Sequence, residues 1–207
     1  EEFIAARKPL RAVTAKCHQG DAEFTAVSID SRTLNAGELF IALRGERFDA
    51  HDFIADAVAK KPCALVVERF FPEIKLPQLV VSDSLLALGQ IAALNRSLFA
   101  RPVIAITGSS GKTTVKTLLT GILAECGSAH ATKGNFNNHI GVPLTLLKIR
   151  KDAQMAVIEM GANHHGEIAS YCTYALPTHG LITNCGKAHL EGFGSIEGVR
   201  KAKGELF

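Results

Sequence analysis

Residues 103–114 read V-I-A-I-T-G-S-S-G-K-T-T, and this stretch decides the fold of the second half of the chain. The apolar run from Val103 to Ile106 predicts a buried strand, the small residues after it predict a loop, and a helical pattern begins at Lys112. A loop that leads from a strand into a helix N-terminus offers backbone N–H groups and a favourable dipole to an anion. The stretch therefore predicts a phosphate-binding loop for a nucleoside triphosphate.

The loop is shorter than the general P-loop pattern G-x-x-x-x-G-K-[ST], because Ile106 stands where that pattern has its first glycine. A Gly/Ser turn before a helix that merely begins with lysine is the plain alternative. The order of strand, loop, lysine, threonine and helix favours the nucleotide site. The predicted nucleotide-binding residues are Gly108, Ser109, Ser110, Gly111, Lys112, Thr113 and Thr114.

Composition limits the class of protein. The 207 residues are 47% hydrophobic and carry a net charge of +3, which is enough apolar material for a core and too little charge to indicate nucleic acid. The five cysteines are odd in number and lack C-x-x-C spacing, which argues against a disulfide framework and for a reducing compartment. No apolar run approaches membrane-spanning length, so we expect a cytoplasmic protein without membrane insertion.

The pattern of elements predicts an α/β protein of two domains. Residues 1–82 alternate short β-rich runs with one helical stretch, and residues 83–207 contain β-α-β units typical of a parallel sheet. The expected architecture is a small N-terminal α/β domain followed by a P-loop-type ATPase domain. The chain lacks an initial methionine and stops within a helical pattern, so we expect a fragment of a longer protein with a truncated sheet.

A carboxylate ends the second apolar run of this half. Glu159 follows Met-Ala-Val-Ile, where a charge is costly unless it faces a cation or water. Because Mg²⁺ prefers oxygen ligands, Glu159 and the Thr113 hydroxyl are candidate ligands beside a triphosphate. A strand-end glutamate that reaches water is the alternative.

Three other groups are ambiguous by chemistry alone. The asparagines in G-N-F-N-N are turn formers that could also bind a substrate phosphate. A lone histidine in a loop, such as His189, is more often a surface residue than a ligand. Lys201 and Lys203 lie on a predicted C-terminal helix, where lysines are normally solvated.

Five segments of the chain resemble the Mur ligases of peptidoglycan synthesis. They are residues 28–53, 107–114 (T-G-S-S-G-K-T-T), 134–143 (G-N-F-N-N-H-I-G-V-P), 157–168 (V-I-E-M-G-A-N-H-H-G-E-I) and 188–205, which opens A-H-L-E-G-F-G-S and ends A-K-G-E. The segments occur in the order of the family and cover the chain from about residue 28 to its end. The resemblance implies an ATP-dependent amide ligase whose first domain binds a UDP-sugar.

The resemblance also implies roles for individual residues. The glutamate of V-I-E-M-G and the P-loop threonine hold one magnesium in such ligases, which implies Glu159 and Thr113. The histidine of A-H-L-E joins a second magnesium, which implies His189. The lysine of A-K-G-E is often carbamylated and binds that second ion, which implies Lys203. Lys112, Lys203 and His189 are thereby the implied catalytic residues.

Substrate contacts follow by the same resemblance. The S-R-T and D-A-H-D-F segments imply Ser31, Arg32 and His51 as UDP-substrate residues, and the asparagine loop implies Asn135 and Asn138. Within the family, the segments favour the branch that joins D-alanyl-D-alanine to UDP-N-acetylmuramoyl-tripeptide, with ATP and Mg²⁺, as a monomer when full length.

Alternatives remain at this point. They are the sibling ligase that adds the third amino acid, a folylpolyglutamate synthetase, and a fragment that binds nucleotide without catalysis. A GTPase-type switch would need an Asn-Lys-x-Asp tetrapeptide, which the chain lacks. His139 stands where relatives usually have an acidic residue. The third domain of the family has no counterpart in these 207 residues, so we expect the chain alone to be catalytically incompetent.

Overall fold

The structure, a computed structural model, describes residues 14–45 and 48–207. The described residues divide into two units, one that ends at Gln90 and one that runs from Ile91 to Phe207. The division falls inside a helix, a few residues later in the chain than the boundary at 82–83 that the sequence suggests. The substrate and ATP roles assigned to the two domains stay predictions.

The first unit is a five-stranded sheet whose strands lie in the order β1-β5-β4-β3-β2. Its strands are β1 (Ala15–His18), β2 (Val27–Ser28), β3 (Leu39–Ile41), β4 (Ala64–Val67) and β5 (Gln78–Val81), and a 3₁₀ turn (Ala50–Phe53) leads into helix α1 (Ile54–Ala59). β1 pairs antiparallel with β5, and the other pairs are parallel. The apolar side chains of Phe40, Ile54 and Leu65 join the core of this unit.

Helix α2 (Ser84–Ser97) contains the division between the units, and the rest of the second unit alternates strands with helices. Its strands are β6 (Val103–Thr107), β7 (Ala129–Ala131), β8 (Met155–Glu159) and β9 (His179–Ile182). Its helices are α3 (Lys112–Ala124), α4 (Gly141–Leu147), α5 (Glu167–Ala175), α6 (Leu190–Phe193) and α7 (Ile196–Gly204). The fold class predicted from sequence, α/β with a parallel-sheet second domain, is confirmed.

The register of this sheet decides which residues meet at its edge. All strands are parallel in the order β7-β8-β6-β9. Ile106 of β6 lies opposite Glu159 of β8, and Thr107 lies opposite Ile182 of β9. The carboxyl ends of the three strands therefore present the P-loop, Glu159 and residues 183–189 at one edge, where parallel sheets bind ligands.

Two strands were not predicted from the sequence. β1 is largely exposed and its residues, A-K-C-H, lack the apolar alternation that marks a strand. β7 is only three residues long and half-buried. No helix in the described part of the chain is long and apolar enough to cross a membrane.

Candidate active site

Two glycines shape the loop between β6 and α3. Gly108 has a φ of +144°, and a Cβ there would lie 2.0 Å from Thr183 Oγ1 and 3.2 Å from the backbone nitrogen of Asn184. Gly111 has a φ of +74° at the N-cap of α3, which no side chain caps. The N–H groups of the first turn of α3 are therefore left for an anion, as the sequence predicts for a phosphate site.

The chain after β9 holds this loop in shape. The Ser109 N–H donates to the Asn184 carbonyl oxygen at 3.0 Å, and the Ser109 hydroxyl exchanges two hydrogen bonds with the backbone of Gly186. The Ser110 N–H donates to Asn184 Oδ1 at 3.2 Å, and the Thr183 hydroxyl donates to the Ser110 carbonyl oxygen at 2.6 Å. Sequence reasoning gave neither Thr183 nor Asn184 a role in the site, although their place at the carboxyl end of a strand is where parallel sheets bind ligands.

The side chain of Lys112 folds back over the preceding loop. Lys112 Nζ donates to the Gly108 carbonyl oxygen at 2.8 Å. The ammonium group is thereby held at the mouth of the loop, where it can contact phosphate oxygens.

Glu159 is the centre of a buried polar cluster. Its side chain is 1% exposed and lies within hydrogen-bond distance of Thr113 Oγ1 (3.0 Å) and Asn137 Nδ2 (2.8 Å). Lys116 Nζ lies 3.3 Å from Glu159 Oε2. The structure thus brings the predicted pair Thr113 and Glu159 together, and the alternative that Glu159 reaches water is wrong. Sequence reasoning gave Lys116 no role and considered Asn137 as a turn former or a phosphate contact, not as a partner of Glu159.

The donors of this cluster fit a divalent cation. A hydroxyl and a carboxylate are hard oxygen ligands, and they stand beside a loop shaped for phosphate. Thr113 and Glu159 would hold magnesium here, and the ion itself stays a proposal.

Lys203 is buried on α7. Its side chain is 1% exposed, its Nζ lies 5.3 Å from the centre of the Phe193 ring, and it donates to the Ala162 carbonyl oxygen at 3.3 Å. Burial, and after it the positive charge of Lys112, lower the pKa of Lys203 to about 8, while the charge of Glu167 acts in the opposite direction. A neutral amine is therefore accessible near physiological pH. Lys201, expected to be a surface residue, is exposed.

His189 also lies near the ring of Phe193. It is exposed, adopts a φ of +51° at the N-cap of α6, and its ring centre lies 6.4 Å from that of Phe193 in an edge-on arrangement. Phe193 is thus a common neighbour of His189 and Lys203. Within residues 14–45 and 48–207, no three His, Cys, Asp or Glu side chains are grouped to hold a metal ion, so a second metal at His189 and Lys203 stays a prediction.

The three asparagines of the loop at residues 134–138 have different surroundings. Asn138 Oδ1 accepts hydrogen bonds from the N–H groups of Ile140 (3.2 Å) and Gly141 (2.8 Å) at the start of α4, which is a capping role. Asn135 is exposed. Asn137 is the asparagine that contacts Glu159, and substrate contacts by Asn135 and Asn138 stay predictions.

In the first unit, Arg32 forms an exposed ion pair. Its guanidinium lies 2.6 Å from the Asp30 carboxylate, and hydrogen bonds from Arg32 lower the pKa of Asp30 to about 2. Ser31 is half-buried in the same turn. A substrate role for Ser31 and Arg32 stays a prediction, and an anionic substrate would compete with Asp30 for the guanidinium.

His51 is buried and already engaged at both ring nitrogens. Nδ1 lies 2.5 Å from Asp49 Oδ1, and Nε2 accepts a hydrogen bond from the Glu68 N–H at 2.8 Å. The Nε2 acceptor fixes the tautomer that carries its proton on Nδ1. The predicted substrate contact of His51 would have to displace one of these partners.

Replacement of Gly108 by alanine is expected to disrupt the loop. The new Cβ overlaps Thr183 Oγ1, and the positive φ is unfavourable for alanine, so we expect a loss of about 2 kcal/mol or more in unfolding free energy. Gly121→Ala is the matched control, because Gly121 lies in α3 with open space around it and alanine favours helix. Chemical denaturation measures both, and equal stabilities of the two variants would contradict the description of the loop.

A parallel sheet with a glycine loop between strand and helix, and a buried carboxylate at the adjacent strand end, defines an α/β fold of the P-loop class. Two family models match the chain: the Mur ligase middle domain over residues 106–207, and the Mur ligase family, catalytic domain, over residues 23–96. The chain belongs to the Mur ligase family.

Named relatives are similar over most of this chain. The UDP-N-acetylmuramoyl-tripeptide–D-alanyl-D-alanine ligase of Escherichia coli is 52% identical over 187 residues, and that of Haemophilus influenzae is 46% identical over 185 residues. These matches cover 90% and 87% of this chain but 41% and 40% of the relatives. The chain therefore spans about two fifths of the length of these relatives.

Solved structures agree with the sequence matches. MurF from Acinetobacter baumannii superimposes with a TM-score of 0.86 at 46% identity, covering 90% of this chain and 41% of that one. MurF ligase from Thermotoga maritima, in complex with ADP, has a TM-score of 0.82 at 35% identity, covering 87% of this chain and 42% of that one.

Proposed function

We propose that this chain is the ATP-binding and substrate-binding part of a ligase that joins D-alanyl-D-alanine to UDP-N-acetylmuramoyl-tripeptide in peptidoglycan precursor synthesis. The observation that carries the proposal is the contact between Thr113 of the P-loop and the buried Glu159, in a chain 52% identical to a ligase with that activity in its name. We further propose that it acts in the cytoplasm, where UDP-linked precursors and ATP occur.

ATP is the nucleotide that the site supports. The Gly108 to Thr113 loop is shaped for phosphates, and the related Thermotoga maritima ligase was solved with ADP. Lys112 would contact the β- and γ-phosphates, and Thr113 and Glu159 would hold a magnesium ion. When bound, magnesium supplies positive charge to the phosphate oxygens.

The proposed reaction has two transfers. The tripeptide carboxylate attacks the γ-phosphorus of ATP, the bond to the β-phosphate oxygen breaks, and ADP leaves an acyl phosphate behind. The amine of D-alanyl-D-alanine then attacks the acyl carbon, phosphate departs, and the amine loses a proton to form the amide. The chain contributes position and positive charge, from which most of the rate of phosphoryl transfer derives.

The second magnesium site is proposed at His189 and Lys203. The amine of Lys203 is buried, its pKa is lowered to about 8, and it can add CO₂ when neutral. The resulting carbamate would be an oxygen ligand, and His189 and Lys203 both lie near the ring of Phe193. The second magnesium ion that Lys203 and His189 would hold would add positive charge near the transferred phosphoryl group.

The proposal is tested by ligation in a protein of the relatives' full length that carries this sequence. ADP formation is expected to require both UDP-N-acetylmuramoyl-tripeptide and D-alanyl-D-alanine, and mass spectrometry is expected to show the pentapeptide product. Product formed instead from UDP-N-acetylmuramoyl-dipeptide and a single amino acid would favour the sibling ligase. ADP formed with folate and glutamate would favour a folylpolyglutamate synthetase.

The 207-residue chain by itself is expected to bind ATP without ligation. Phosphoryl transfer requires that water is excluded and that the reactants are held in line, and the resemblance implies that a third domain provides this closure. Phosphate release is measured with ATP, magnesium and both substrates, and ADP binding by calorimetry is the control for a folded site. Turnover comparable to that of a full-length relative would contradict the expectation.

A further inference from the structure

The buried lysine of α3 has no part in the function proposed so far. Lys116 is 5% exposed and is the one buried residue of this helix, while the apolar side chains of Leu118 and Ile122 are 63% and 67% exposed. Burial of an ammonium group costs several kcal/mol unless a partner compensates it. Because α3 buries Lys116 and leaves Leu118 exposed, we expect a specific partner for the buried ammonium group.

The partner of this lysine is the proposed metal ligand. Lys116 Nζ lies 3.3 Å from Glu159 Oε2 and donates a hydrogen bond to the Gly134 carbonyl oxygen at 3.1 Å. The other contacts of the Glu159 carboxylate are the neutral Thr113 hydroxyl and the neutral Asn137 amide. Among the described residues, Lys116 is the cation within salt-bridge distance of Glu159.

The charges in this cluster bear on whether a divalent cation can bind before a nucleotide does. One carboxylate and one ammonium give a neutral buried pair, so a divalent cation at Glu159 would leave two uncompensated positive charges. Such an excess is unfavourable in a site of low polarity. The negative charge of a nucleotide triphosphate offsets it, because the phosphates bind at the adjacent loop.

We propose that Lys116 is a positioning residue that acts as the resident cation of Glu159 and weakens divalent metal binding when no nucleotide is bound. With no metal bound, it keeps the buried carboxylate compensated and directed toward Thr113. It also ties Glu159 to residue 134 of the asparagine loop. This inference rests on the proposed metal role of Glu159.

The test is a Mn²⁺ titration of the nucleotide-free chain, followed by the electron paramagnetic resonance signal of the free ion. Lys116→Met keeps the length of the side chain and removes its charge, so Mn²⁺ is expected to bind about tenfold more tightly than in the unmodified chain. Lys116→Arg keeps the charge and is expected to match the unmodified chain. The control is Lys133→Met, because Lys133 is exposed in the neighbouring loop.

A structural role alone would move the titration the other way. If Lys116 only supported the fold, its loss would loosen Glu159 and weaken Mn²⁺ binding. Thermal unfolding of each variant shows whether it folds, and Lys116→Gln replaces Lys116→Met if the latter does not.

Glu159→Gln separates this inference from the proposed function. If Glu159→Gln removes Mn²⁺ binding and Lys116→Met strengthens it, both stand. If Glu159→Gln removes binding and Lys116→Met leaves it unchanged, weaker or undetectable, the inference on Lys116 is overturned and the metal role of Glu159 stands. If Glu159→Gln leaves binding unchanged, the metal role falls and the inference with it.

Discussion

Replacement of Lys112 by alanine is expected to lower ATP-dependent ligation by about a thousandfold, the largest effect of any single change in the P-loop. The Lys112 ammonium already lies over the loop, 2.8 Å from the Gly108 carbonyl oxygen, where it would contact the β- and γ-phosphates. The rate is measured as ADP release in a protein of the relatives' full length that carries this sequence.

Two controls separate this result from a loss of fold. Lys133→Ala removes an exposed lysine from the same unit and is expected to leave the rate unchanged. Binding of the UDP-linked substrate, predicted for the first unit, is expected to persist in Lys112→Ala. Ligation by Lys112→Ala at a rate near that of the unmodified protein would refute the assignment of the loop.

The central part of the fold could be predicted because local signals agree there. The apolar run at 103, the small-residue loop and the helical pattern from 112 each indicate one element, and the structure has β6 at Val103–Thr107 and α3 at Lys112–Ala124. The apolar run at residues 181–184 indicates a strand, whereas β9 lies at His179–Ile182 and the side chains of residues 183 and 184 hydrogen-bond to the P-loop. The exposed strand β1 carries no periodic signal and depends on its partner β5.

The site was predicted where chemistry follows from the residue type. A carboxylate at the end of an apolar strand requires a partner, so Glu159 could be identified from its position alone. Lys116 could not be identified, because the polarity pattern of a helix predicts that a lysine in its second turn is exposed to solvent. Its burial depends on the register between β6 and β8, which sets Glu159 beside the first turns of α3.

The asparagines show a further limit of sequence reasoning. Three lie within four residues, and their amides are chemically alike. The start of α4 engages Asn138 as a cap, and Asn137 faces Glu159. That assignment is a consequence of the chain path between β7 and α4, which no local pattern encodes.

Lys203 is the residue for which burial, charge and the family resemblance converge, and its removal is the second change of large expected effect. Lys203→Ala is expected to lower ligation by at least about a hundredfold, because it removes the proposed oxygen ligand of the second magnesium. Small carboxylates such as acetate or propionate are expected to restore part of the rate, since they can supply oxygen in the space that the side chain leaves. Lys201→Ala is the matched control, and its exposed side chain predicts an unchanged rate.

The modification itself has a pH signature that the lysine alone would not produce. CO₂ adds to the neutral amine, and burial lowers the pKa of Lys203 to about 8, well below the ordinary range of lysine, so this lysine becomes reactive as pH rises through about 8. With ¹³C-labelled bicarbonate, a single carbamate resonance is expected in this range and is expected to be absent from Lys203→Ala. Equal losses of rate in Lys201→Ala and Lys203→Ala, or a carbamate resonance that survives in Lys203→Ala, would refute the role of Lys203. Loss of the rate in Lys203→Ala without rescue and without a carbamate in the unmodified protein would instead make this lysine a buried cation beside Lys112.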